Sequence, residues 1–287
     1  MPSTPILDAH VHIWDPARYH IPWLDGITAL NRRMWLEQYA EATNGLPVEG
    51  FVYLQVEVAT PYAIIEAREL VDLSREHPVV AAVVPWAPLE YGEQSRTFLD
   101  QLVALGPEIK GVRRIVQDEP DPEYCLQPGF VRGNQILGEL GLSSDICCNF
   151  RQLGPNVELV RQCPETMFIL DHLAKPDIRN GTFQPWADQM RELSMLPNCY
   201  CKISGAVTEA DHQSWSIEDV KPYILHAIDV FGEDRIVFGS DWPVVTQAAA
   251  YARWIEALDQ LTFDLSESTL RKLWRDNGRR FYRIDTN

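Results

Sequence analysis

The chain has 287 residues, 46% of them hydrophobic, with 41 acidic against 25 basic side chains and a formal net charge of −16. That length suits one large α/β domain or two ordinary ones with a sizeable core, and the lack of a basic face excludes nucleic acid as the main partner. No basic leader with an apolar signal core and no apolar run of bilayer length is present. The expectation is therefore a cytoplasmic protein without a membrane partner. The cysteines Cys125, Cys147, Cys148, Cys163, Cys199 and Cys201 form no paired Cys-x-x-Cys knuckles. They read as reduced, buried thiols rather than a structural zinc site.

The first strand is Ile6 to Val11, and strict alternation along it would put Asp8, His10 and His12 on one side and Leu7, Ala9 and Val11 on the other. A long loop rich in Pro and Trp follows, residues 13 to 26, and then a helix over Leu30 to Thr43. Gly50 to Glu57 is a second strand, continuous in apolar residues as a parallel-sheet strand should be. Pro61 opens a helix to about Glu76, where its missing N–H costs nothing.

The rhythm then repeats. Val79 to Val84, Ile109 to Ile115, Ser144 to Cys148, Met167 to His172, Cys199 to Ser204 and Arg235 to Gly239 read as strands. Between them lie helices over Gln94 to Leu105, Gly129 to Leu140, Asn156 to Cys163, Gln184 to Ser194 and Ile217 to Phe231. Gln247 to Leu261 and Ser266 to Tyr282 close the chain as helices. Eight alternating units without a linker predict a single (β/α)8 TIM barrel domain over residues 1–287. The rival doubly wound sheet lacks its Gly-x-Gly-x-x-Gly turn, since His10-Val11-His12 stands where that turn would be.

In such a barrel the chemistry sits at the C-terminal ends of the strands. Those ends carry His10 and His12, Gln55 and Glu57, Trp86, Arg113 and Arg114, Asp145 and Asn149, Asp171 and His172, Lys202 and Ser204, and Asp241. Two imidazoles on one strand make a metal clamp or a proton-handling pair. Asp241, on the turn after the last strand, can take a proton from an attacking water. Of the adjacent arginines Arg113 and Arg114 only one can face the site as a fork for carbonyl or hydroxyl oxygens. Trp14, Trp23, Trp86 and Trp242 lie in or beside the mouth loops, where apolar rings can hold the C–H face of a sugar. Gln55 and Lys175 complete the candidate substrate contacts. His77, before Pro78, reads as a helix-end cation, and His226 as structural.

The ordered set Asp8-Ala-His-Val-His-Ile-Trp-Asp-Pro16, Lys110-Gly-Val-Arg113, Asp171-His-Leu-Ala-Lys-Pro176, Lys202-Ile-Ser-Gly205 and Phe238-Gly-Ser-Asp-Trp-Pro243 resembles the amidohydrolase-related sugar lactonases, the group of the fucono- and rhamnono-lactone hydrolases. The resemblance implies a barrel hydrolase that opens an L-fucono-, L-rhamnono- or related aldonolactone to the free acid, with a small-molecule lactone as its partner and room for a homodimer. It places His10, His12, His172 and Asp241 at the active-site positions. These four would serve as metal ligands, with Asp241 as base and His172 polarising the carbonyl. Of the two adjacent arginines the resemblance favours Arg113, through the Lys110-Gly-Val-Arg113 motif. One divalent ion, zinc or manganese, is implied, or none. The fifth strand carries no histidine, which argues against a two-metal site. Two rival readings remain: a non-oxidative decarboxylase of an aromatic or unsaturated acid on the same scaffold, and a non-catalytic barrel that binds sugar acids.

Overall fold

A computed structural model describes Pro2 and residues 4–285; the expected domain, residues 1–287, reaches beyond them at both ends. Eight strands form: β1 (Ile6–Val11), β2 (Val48–Leu54), β3 (Val80–Val84), β4 (Gly111–Arg113), β5 (Ser143–Ile146), β6 (Phe168–Leu170), β7 (Cys199–Ile203) and β8 (Ile236–Phe238). They pair in parallel and in chain order, as β1-β2-β3 and as β4 through β8. Two narrow seams join the pieces into a ring. At one, Val11 bridges Trp242, with His12 N–H donating to Trp242 O at 2.8 Å and Asp241 N–H to His10 O at 2.9 Å. At the other, Val83 bridges Ile109, with Val83 N–H donating to Glu108 O at 2.9 Å. The result is the expected (β/α)8 barrel.

The helices alternate with the strands: α1 (Leu36–Ala42), α2 (Ala63–Glu76), α3 (Arg96–Val103), α4 (Pro128–Glu139), α5 (Leu153–Gln162), α6 (Trp186–Ser194), α7 (Ile217–Phe231), α8 (Tyr251–Leu261), α9 (Glu267–Arg271) and α10 (Asn277–Phe281). Several are shorter than their apolar patterns suggest. The stretch before α1 is taken by an antiparallel bridge between Trp14 and Met34, so the helix expected from Leu30 starts only at Leu36. The helix expected from Gln247 begins at Tyr251, after a separate 3₁₀ turn over Val244–Gln247. A π turn over Lys272–Asp276 divides the closing helix into α9 and α10. Among the described residues no helix is long and apolar enough to cross a membrane.

The core has two layers. Inside the ring Ala9, Val52, Leu54, Ala82, Val84, Ile169 and Val237 pack together, with Tyr200, Phe281 and Tyr282 below them. Residues in between, such as Phe51, Tyr53, Val83 and Phe168, pack into the helical layer. The chain end after α9 thus serves as a floor plug.

The expected alternation of β1 fails at one point. Asp8 faces the helices, its Oδ2 accepting from the hydroxyls of Tyr39 on α1 (3.2 Å) and Tyr251 on α8 (3.0 Å). Its pairing with β2 then slips: Asp8 opposes Phe51 but Val11 opposes Tyr53, a two-residue step in β2 against three in β1. That extra residue is a bulge, and it turns His10 into the barrel while Asp8 stays outside. The five-residue motif Asp-Ala-His-Val-His therefore serves two faces of the sheet.

Candidate active site

Four side chains meet at the mouth. His10 Nε2 lies 3.2 Å from His12 Nε2 and 3.7 Å from Asp241 Oδ1. Asp241 Oδ1 is 3.4 Å from His12 Nε2 and 3.9 Å from His172 Nε2. Each is aimed from behind. His12 Nδ1–H donates to Leu54 O at 2.8 Å, which leaves the Nε2 lone pair directed at the centre. His172 Nδ1 pairs with Ser204 Oγ at 2.9 Å. Asp8 Oδ1 accepts from Ser240 N–H at 2.8 Å and so holds the turn that carries Asp241.

The backbone here is unusual. His172, Leu173, Ala174 and Lys175 all have positive φ, between 47° and 57°, and Asp241 has φ 61°. A run of left-handed L-residues costs about 1–2 kcal/mol each and persists only where the surroundings fix it. Here Trp186 Nε1–H donates to Leu173 O at 2.7 Å, Lys175 N–H to His172 O at 2.8 Å, and Gly205 lies directly under the His172 side chain. The consequence is that His172 and Lys175 both line the same cavity.

Beneath the histidines lies a buried charge network. Lys202 Nζ is 2.6 Å from Asp145 Oδ2, 2.9 Å from Asp171 Oδ1 and 3.2 Å from His10 Nδ1. Asp171 Oδ1 is 3.3 Å from His10 Nδ1, and Tyr282 donates its hydroxyl to Asp145 at 2.5 Å from the floor plug. Arg113 places Nη1 3.2 Å from His10 Nε2 and donates Nη2–H to Gln55 O at 2.5 Å. Arg114 turns away to Glu90 and Glu119.

Burial drives His10, His12 and His172 below the ordinary imidazole value, so they are neutral near pH 7. For Asp241 burial pushes upward, but His172, His12 and Lys175 outweigh it and hold the carboxyl below its usual range. The group is ionised and ready to accept a proton.

The donor set also fits a divalent cation. His10 Nε2, His12 Nε2 and Asp241 Oδ1 are separated by 3.2, 3.4 and 3.7 Å, close to the roughly 3.3 Å edge of a tetrahedron with bonds of about 2.0–2.1 Å. His10 and His172 also converge with Asp171 as a second group of the same kind. Asp171 behind His10 supplies the supporting carboxylate that metal-binding histidines use.

The cavity above holds about 240 Å³ and is lined by His12, Trp23, Glu57, Arg113, His172, Lys175 and Asp241, among others. Of the four tryptophans expected at the mouth only Trp23 lines it. Trp14 stands behind Trp23, its ring edge-on at 5.4 Å and its Nε1–H given to Leu30 O and Arg32 O. Trp86 packs edge-on against Phe98 of α3, and Trp242 against Tyr39 of α1, because strand ends also point outward into the helical layer. Gln55 is fully buried beside the cavity rather than in its wall, and its Oε1 accepts from Glu57 N–H. His226 donates to Ala187 O at 2.8 Å, and His77 caps α2. All six cysteines are free and buried.

Sequence reasoning lists Lys202, Asp145 and Asp171 as strand-end residues but gives them no role. Their signal is positional: charged residues inside apolar strands that are buried on both faces. Cys147 and Gln117 carry no such signal and enter the cavity wall only through the fold.

A family model described as amidohydrolase matches residues 7–284. The chain belongs to the amidohydrolase family. Along its length this amidohydrolase is similar to an L-fucono-1,5-lactonase of Burkholderia ambifaria, 29% identical over 283 residues that cover 97% of this chain and 96% of the relative. It is 28% identical over 302 residues to the uncharacterized protein y4mH of Sinorhizobium fredii, covering 99% of this chain and all 100% of that one. Among solved structures, an amidohydrolase from Burkholderia multivorans with bound zinc superposes with a TM-score of 0.88 at 26% identity, over 98% of this chain and 100% of that one.

Proposed function

We propose that this amidohydrolase hydrolyses a sugar-acid lactone, of the L-fucono-, L-rhamnono- or related aldonolactone type, to the open-chain acid. The observation that carries the reading is an ionised Asp241 at the base of a sugar-sized cavity, between His12 and His172 and facing Arg113. The full-length relatives of lactonase name support it.

In this mechanism a water lies between Asp241 and the lactone carbonyl carbon. Asp241 takes one proton as the water oxygen bonds to that carbon. His172, with Nδ1 accepting from the Ser204 hydroxyl, carries its proton on Nε2 and, keeping that proton, donates a hydrogen bond to the carbonyl oxygen as negative charge develops there. Arg113 steadies the same oxygen. The tetrahedral intermediate then breaks its ring C–O bond, and the departing ring oxygen recovers the proton from Asp241. The product is a hydroxy acid, and Asp241 is again a carboxylate. A divalent ion, held by His10, His12 and Asp241, would add Lewis-acid polarisation of the carbonyl when bound.

A panel of lactones in weakly buffered pH indicator, with and without chelator, tests the reading. Asp241→Asn should lower turnover by about 100- to 10,000-fold, the usual range for a general base, and leave binding nearly intact. Near-normal turnover in the variant removes Asp241 from the chemistry. Release of CO2 from an aromatic or unsaturated acid, with no lactone opened, replaces the reading by decarboxylation.

A further inference from the structure

The cavity contains two charged groups whose partners are missing from the protein itself. Among the described residues neither the Glu57 carboxylate nor the Lys175 ammonium has a hydrogen-bond or ion-pair partner. Both are half-buried, and both line the same space. A charged group in a cavity wall with no protein partner has its hydrogen-bonding capacity free for a ligand.

Glu57 is also held there on purpose of geometry. It has φ 53°, the left-handed region, where an L-residue is rarely found without a reason. Gln55, fully buried, fixes that turn by accepting from Glu57 N–H, and the Gln55 carbonyl is itself pinned by Arg113 at 2.5 Å. The turn thus rides on a residue of the catalytic cluster.

Sign matters as much as place. The cavity wall carries the acids Glu57, Asp118 and Asp241 against the bases Arg113 and Lys175. Arg113 is already engaged, with Asp171 Oδ2 at 3.5 Å, the Gln55 carbonyl and His10. Lys175 is the base of this wall without such a contact among the described residues. A neutral ring with several hydroxyls satisfies this wall: it donates to Glu57 and accepts from Lys175. A ring bearing its own carboxylate or sulfonate adds a negative charge to a wall whose acids already outnumber its bases.

We propose that Glu57 reads substrate hydroxyls, and that through it the site selects neutral polyhydroxylated lactones over anionic ones. The inference rests on the lactonase reading and names the residue that sets its substrate class.

The test compares wild type, Glu57→Gln and Glu57→Asp on three probes: an aldono-δ-lactone, unsubstituted δ-valerolactone, and a δ-lactone carrying a ring carboxylate. Wild type should prefer the aldonolactone. In Glu57→Gln the ratio of kcat/KM for aldonolactone over δ-valerolactone should fall about 10- to 100-fold, the loss expected for a charge-assisted hydrogen bond. The carboxylate-bearing lactone should gain relative to both, and Glu57→Asp should fall between. A ratio unchanged in Glu57→Gln, or an equal loss on all three probes, overturns the assignment while the lactonase reading stands. Failure of wild type to open any of the three, or the corresponding γ-lactones, overturns both.

Discussion

Lys202 offers the most demanding check on the structure. It is completely buried, and its ammonium meets Asp145 at 2.6 Å, Asp171 at 2.9 Å and His10 at 3.2 Å. Lys202→Met keeps most of the side-chain volume and deletes the charge. Two buried carboxylates then face each other with two neutral groups, the Tyr282 hydroxyl and the His10 ring at 3.3 Å, and the side chain of Arg113 at 3.5 Å. Removing one partner from a buried ion pair costs about 3–5 kcal/mol. Urea denaturation at neutral pH should show a loss of that size in unfolding free energy, with an unchanged m value. The loss should shrink in acid, where the orphaned carboxylates take up protons. Adding Asp145→Asn should recover part of it, since the pair then holds a single charge. A loss below about 1 kcal/mol, or no recovery in the double variant, would mean that the three groups do not form the closed network described above.

Two further outcomes follow from the buried groups and the tight turns. Glu66, buried on α2, accepts from the Tyr53 hydroxyl at 2.7 Å and Val56 N–H at 3.2 Å, and burial lifts its carboxyl from 4.5 to about 7. Because the folded value lies above the unfolded one, this group stabilises the fold relative to high pH, fully below about pH 4.5, and the benefit is lost as pH rises through 7. Glu66→Gln should therefore gain on wild type as pH rises from 5 to 8, approaching about 3 kcal/mol; a pH-independent difference in thermal or urea unfolding would contradict the assignment. At Gly205, φ is +65° and an added Cβ would stand 2.7 Å from the Cβ of His172. Gly205→Ala should displace His172 and cut kcat far more than it lowers Tm, and intact kcat would show that His172 tolerates the shift.

The fold was legible because most of the strands, buried on both faces, carry apolar runs, and eight strand-like stretches alternate with amphipathic helices. The site was legible in part for a different reason: a polar group at the end of an apolar strand has few places to go but the mouth. What alternation could not reveal was direction after an irregularity. Asp8 and His10 are two residues apart yet face opposite sides of the sheet, since the β1 register slips between them. Trp86 and Trp242 sit near the mouth in sequence but turn toward the helices, where aromatic partners wait, and Trp14 stands behind Trp23. Glu57 needed its backbone angle to stand out, and a single sequence does not record a positive φ on a glutamate.

The seam between β1 and β8 has a consequence for how the molecule comes into being. Asp8 accepts from Ser240 N–H across 232 positions of chain, and Asp241 N–H donates to His10 O at the same seam. Contacts of such separation form late, after the loop-closure entropy of everything between has been overcome. A chain of seven finished units would hold His10, His12 and His172 and still lack Asp241, which follows β8. Regain of turnover during refolding would thus time the closing of the ring itself, and it would lag behind any spectroscopic signal from strands or helices.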